Sequence, residues 1–88
     1  MKDFKKTILG KEYTICYVSS AELGGNMGDC CQTKATIRIS KDISKEQQDD
    51  TLIHEVLHII DHELILNLPE ETVGRLAVAL YSLGVRLG

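Results

Sequence analysis

The chain has 88 residues, 43% of them hydrophobic, and carries 10 Lys and Arg against 13 Asp and Glu for a formal net charge of −3. That length makes one small domain, residues 1–88, which buries about 60% of its unfolded surface, and its hydrophobic content excludes disorder. The negative balance, with no Trp and one Phe, argues against a nucleic-acid binder, which would neutralise phosphates with a basic face or stack bases on aromatic rings.

Residues 1–6 are charged but no apolar stretch follows them, so no signal peptide is expected. No run of about 18 apolar residues exists to span a membrane. Cys16, Cys30 and Cys31 are odd in number, and the adjacent pair would point to opposite faces of a strand. Reduced thiols of a cytoplasmic protein fit better than a secreted disulfide framework.

The first forty residues read as β. Thr7-Ile8-Leu9 and Tyr13-Thr14-Ile15-Cys16-Tyr17-Val18 flank Gly10-Lys11 as a hairpin. Residues 22–28 hold Gly24, Gly25, Asn26 and Gly28 and read as a loop. Ala35-Thr36-Ile37-Arg38-Ile39-Ser40 alternates at period two and predicts a half-buried strand, paired with a short strand near residues 30–32. The second half reads as helical. Ser44 with Gln47 three residues on is a capping box, so a helix should run from about residue 45 to 63 or slightly beyond. Pro69 fits the first position of a second helix, followed by Glu70 and Glu71 in its first turn. That helix would present Val73, Leu76, Ala77, Leu80 and Leu83 on one face and end near Gly84 or Gly88. The expected class is α+β, a small antiparallel sheet packed with two C-terminal helices.

His54-Glu55-Val56-Leu57-His58 is an H-E-x-x-H motif. Residues four apart on a helix lie about 40° apart around the axis and one turn along it, so both imidazoles can converge on one tetrahedral ion. The intervening Glu55 lies off to the side. It can serve a metal-activated water as general base. A chain of this length would carry the motif by chance in roughly one case in several hundred. Context sharpens it: Leu52, Ile53, Val56, Leu57, Ile59, Ile60 and Leu64 share one side of the helix, and His54, His58, Asp61 and His62 the other. The competing, bland reading is a helix with two surface histidines.

The segment Asp50-Thr51-Leu52-Ile53-His54-Glu55-Val56-Leu57-His58 resembles the F-T-L-A-H-E-L-G-H core of the ImmA/IrrE-like metallopeptidases, gluzincin-type zincins of phages and mobile elements. Asp50 stands at the family's aromatic position and Leu57 at its Gly. The strand 35–40 resembles the family's edge strand, and the likeness spans roughly residues 35–80. The family's next helix carries E-x-x-A-x-x-F-A, whose Glu is the third zinc ligand. Glu70-Glu71-Thr72-Val73-Gly74-Arg75-Leu76-Ala77 is the best match. The resemblance therefore implies a Zn²⁺ site on His54, His58 and Glu70, with Glu55 as the catalytic base. It also implies a protein or peptide substrate, such as a transcriptional repressor of the encoding element.

Helix phase favours Glu70 over Glu71, which has Arg75 four residues on, although Pro-Glu-Glu is also an ordinary helix opening. Asp61 could orient a ligand imidazole or tie down the helix end. Cys30 could close the metal's open position, although burial as a small hydrophobe is the commoner fate. The alternative function is a zinc-binding interaction or regulatory module without peptidase activity.

Overall fold

The computed structural model describes residues 2–88. The N-terminal hairpin forms as the alternation predicts, from β1 (Phe4–Ile8) and β2 (Lys11–Val18). Residues 19–27 follow as a loop, and then come β3 (Gly28–Cys31) and β4 (Thr36–Ser40). Gly28 is thus the first residue of a strand rather than the last of a loop. The sheet order is β1-β2-β4-β3. The α+β class holds, but the sheet is mixed rather than wholly antiparallel. β1–β2 and β3–β4 are antiparallel, whereas β2 and β4 run parallel, with Ile15 opposite Ile37 and Tyr17 opposite Ile39.

The parallel pair follows from the loop. It carries the chain past the position that β4 later fills, so β3 descends at the sheet's edge and β4 returns between β2 and β3. Polar contacts hold this arrangement. Ser40 N donates to the Met27 carbonyl at 2.8 Å, Lys41 N to the Val18 carbonyl at 2.8 Å, and Ser20 N to Asp42 Oδ2 at 2.8 Å. Leu23, buried, anchors the loop from within.

Period-two alternation places Tyr13, Ile15, Ile37 and Ile39 on the inner face. They pack with Ile8 and with Leu52, Val56 and Ile59 of the helix α1 (Lys45–Leu64). Each such aliphatic side chain taken out of water contributes about 1.5–3 kcal/mol. The capping box is complete: Ser44 Oγ accepts from Gln47 N, and Gln47 Oε1 accepts from Ser44 N, both at 3.1 Å. The helix ends at Ile65, in the left-handed region with φ 52°.

The second helix, α2 (Glu70–Ser82), begins one residue later than expected. Pro69 is its N-cap, and its carbonyl accepts from Thr72 N and Val73 N. Among the described elements α2 packs on α1 alone. Its buried stripe is therefore narrow, Val73 and Ala77, while the expected face members Leu76 and Leu83 are 40% and 79% exposed. Among the described residues, no helix is long and apolar enough to cross a membrane.

Candidate metal centre

The site lies where α1 meets the start of α2, beside the edge strand β3. α1 buries Leu52, Ile53, Val56 and Ile59, and this fixes its rotation. His54 and His58, one turn apart, then stand half-buried at the helix's open side, their ring centroids 4.7 Å apart.

Glu70 comes to them from α2. Its Oε1 lies 2.7 Å from His54 Nε2 and its Oε2 lies 2.9 Å from His58 Nε2. One carboxylate thus spans both imidazoles. Partial desolvation works to raise the Glu70 carboxyl. The His54 hydrogen bond and the charges of His58 and His54 outweigh it and hold the group below the usual carboxylate range. Gly74, one turn after Glu70, faces the same ring, and a Cβ built there would make an ordinary contact, 3.7 Å from His54 Cε1.

Glu55 projects toward the sheet and is 7% exposed. Burial raises its carboxyl, against the pull of His58 and His54 and a hydrogen bond from the Cys30 thiol. The thiol in turn is pushed up to about 12 by its own burial and the neighbouring Glu55 charge. At neutral pH, Cys30 is therefore a protonated donor to the carboxylate, packed against the core. Nothing in the sequence alone pairs these two residues. They meet because β3 packs across α1 with its inner face toward Glu55. The three cysteines are unbridged.

The residues line a cleft of about 510 Å³ whose walls are Asn26 to Cys30 on one side and Asp50, Thr51, His54, Glu55, His58 and Glu70 on the other. Beyond it, Arg38 clamps Asp29, with Nε 2.9 Å from Oδ1, and lowers that carboxyl through the hydrogen bond.

Of the candidate residues, the structure brings together His54, His58 and Glu70, whose ligand atoms lie within 4.8 Å of one another. Glu71 turns away and lies 4.0 Å from Arg75 at an exposed position. His62 is exposed. Asp61 does not meet an imidazole; its Oδ1 accepts from Leu68 N at 2.9 Å, in the connector to α2.

The donor set suits Zn²⁺: two neutral imidazole nitrogens and one carboxylate oxygen, from two helices. Bond lengths of about 2.0–2.2 Å imply ligand atoms about 3.3 Å apart in a tetrahedron. The present 2.7 and 2.9 Å separations ask Glu70 to withdraw by about half an ångström, and its side chain, 69% exposed, has room to do so. Comparison with models of known protein families, with characterised proteins and with solved structures gives no match.

Proposed function

We propose that this chain is a zinc-dependent peptidase of minimal zincin type, with His54, His58 and Glu70 holding the ion and Glu55 acting as general base. The observation that carries the reading is the convergence of three donors from two helices on one point, with a buried carboxylate beside it. The resemblance of residues 50–58 to the ImmA/IrrE-like core supports it and suggests a repressor-like protein substrate in a phage or mobile-element setting.

When bound, zinc supplies a Lewis acid that polarises the peptide carbonyl and acidifies a water. Glu55 is suited to take a proton at its carboxylate and return it to the leaving amine, because burial brings it toward the neutral form that must donate. β3 is an edge strand that borders the cleft. Its outward backbone groups can pair with an extended peptide and lay a scissile bond across the histidines.

The second reading is a zinc-binding interaction or regulatory module without peptidase activity. Cys30 is not among its donors, since the thiol meets Glu55 and not the His54, His58 and Glu70 group.

Metal analysis and a peptidase assay decide between them. The wild-type protein should hold about one zinc per chain, and His54→Ala with His58→Ala should hold none. Glu55→Gln should keep zinc and lose hydrolysis, since an amide cannot accept the proton. Zinc retained by the double histidine variant would sink both readings. Tight zinc without hydrolysis would favour the module.

A further inference from the structure

Glu70 reaches the histidines only because the chain between the helices turns back on itself. From His58 to the end of α1 the helix rises a further ~9 Å, and from His54 ~15 Å. The connector, residues 65–69, must recover this distance and also step across to a second axis about 8–10 Å away. A fully extended chain over that span covers at most ~20 Å, so little slack remains. Within it, Ile65 and Asn67 both take positive φ, 52° and 57°. For a β-branched residue that conformation survives only where surrounding contacts impose it.

Two bonds from one residue impose it. The Asp61 carbonyl accepts from Leu66 N at 3.0 Å, and Asp61 Oδ1 accepts from Leu68 N at 2.9 Å. The second lies two residues before Glu70 and ties the connector to the same helix that carries His54 and His58. We infer that Asp61 is a positioning residue for the metal site: its carboxylate, by fixing Leu68 on α1, sets where Glu70 stands against the two imidazoles. The inference rests on the reading of Glu70 as a ligand. Asp61 touches neither metal nor substrate, and acts only through Glu70.

The test is zinc affinity against a competing chelator, in Asp61→Ala, Asp61→Asn, Asp61→Glu and Glu70→Ala, with folding checked by circular dichroism. Outer partners of metal ligands are typically worth 10- to 100-fold in affinity, so Asp61→Ala should weaken zinc by about 10-fold. Asp61→Asn keeps an acceptor oxygen at the same reach and should bind within about 3-fold of wild type. Asp61→Glu keeps the charge but moves the oxygens by one methylene, and should weaken binding like Asp61→Ala.

In a Glu70→Ala background, Asp61→Ala should cost nothing more, because the residue through which it acts is gone. A merely structural role would lower affinity in both backgrounds and would overturn the inference. So would Asp61→Glu binding as wild type while Asp61→Asn does not, which would assign the effect to charge. Glu70→Ala binding zinc like wild type is a different result: it removes the ligand reading itself. If Asp61→Ala fails to fold, the contrast between Asp61→Asn and Asp61→Glu, which keep a polar side chain there, still decides the matter.

Discussion

Gly28 opens β3 at the point where the strand crosses α1. In Gly28→Ala, the added methyl would stand 2.7 Å from Thr51 Cγ2, 2.8 Å from the Arg38 carbonyl oxygen and 3.3 Å from Ile39 Cδ1. Non-bonded carbons settle at about 3.5–4.0 Å, so Thr51 must retreat by most of an ångström. Neither close neighbour is free to move. Thr51 is buried in α1, and Arg38 belongs to the β3–β4 ladder, opposite Asp29. Overpacking of this kind costs about 1–3 kcal/mol. The reduced freedom of the unfolded Ala chain returns about 0.4–1 kcal/mol, leaving a net loss of about 1–2 kcal/mol. For a domain of this size that lowers Tm by roughly 5–15 °C. Gly74→Ala is the counter-experiment. Its Cβ meets His54 at an ordinary 3.7 Å in a helix interior, so it should gain about 0.5–1 kcal/mol. Urea unfolding of both variants in chelator, followed by circular dichroism, measures the two effects. A Gly28→Ala protein as stable as wild type would refute the packing argument, as would the two variants falling in the opposite order.

Glu70→Ala should lose zinc affinity by orders of magnitude, whereas Glu71→Ala, which breaks only an exposed pair with Arg75, should change it by a few tenths of a kcal/mol at most; chelator competition on the two variants reads this directly. Ile65→Gly should stabilise by about 0.5–1 kcal/mol, because Gly removes a left-handed penalty of about 1–2 kcal/mol and gives back part of it as chain entropy. The Ile65 side chain is 76% exposed, so little burial is lost, and a lower Tm for the variant would contradict the assignment of strain. Asp29 has a folded pKa held below its ordinary value by Arg38. Its contribution is therefore present above the unfolded pKa and lost as pH falls through the depressed folded value. Asp29→Asn should flatten the acid limb of a stability-against-pH curve without altering it near neutrality in shape, and an unchanged acid slope would deny the pair any role.

Much of this architecture was legible in the residues. α1 was readable because three independent signals agree: the capping box at Ser44, the apolar stripe from Leu52 to Ile59, and histidines at the spacing of one turn. Its rotation, and hence the direction of His54 and His58, followed from that stripe. Glu70 over Glu71 was readable from helix phase. The parallel partnership of β2 and β4 was not, because alternation at Ile37 and Ile39 reports which face is buried and says nothing of the neighbour. The neighbour is chosen by the loop's tertiary bonds, Ser40 to Met27 and Ser20 to Asp42. The exposure of Leu76 and Leu83 was equally hidden. An apolar stripe predicts a buried face only where something wide enough lies beneath it, and α2 rests on a single helix. How the chain returns to the histidines was also hidden. α1 runs its full expected length and residues 65–69 turn back, bonded to Asp61, a device that depends on one side-chain bond and leaves no periodic trace.

The three donors all come from one helix–connector–helix stretch, and His54 and Glu70 are only 16 residues apart in the chain. The sheet contributes none of them. Closing so short a span costs a denatured chain little entropy, so an unfolded molecule could hold the same ion with much the same atoms. Thermodynamic linkage then works on both sides of the folding equilibrium, and zinc would stabilise the fold by less than its affinity for the native state implies. A thermal shift on adding zinc would be a poor gauge of this site. Direct titration would report a tighter grip than the melting curve suggests.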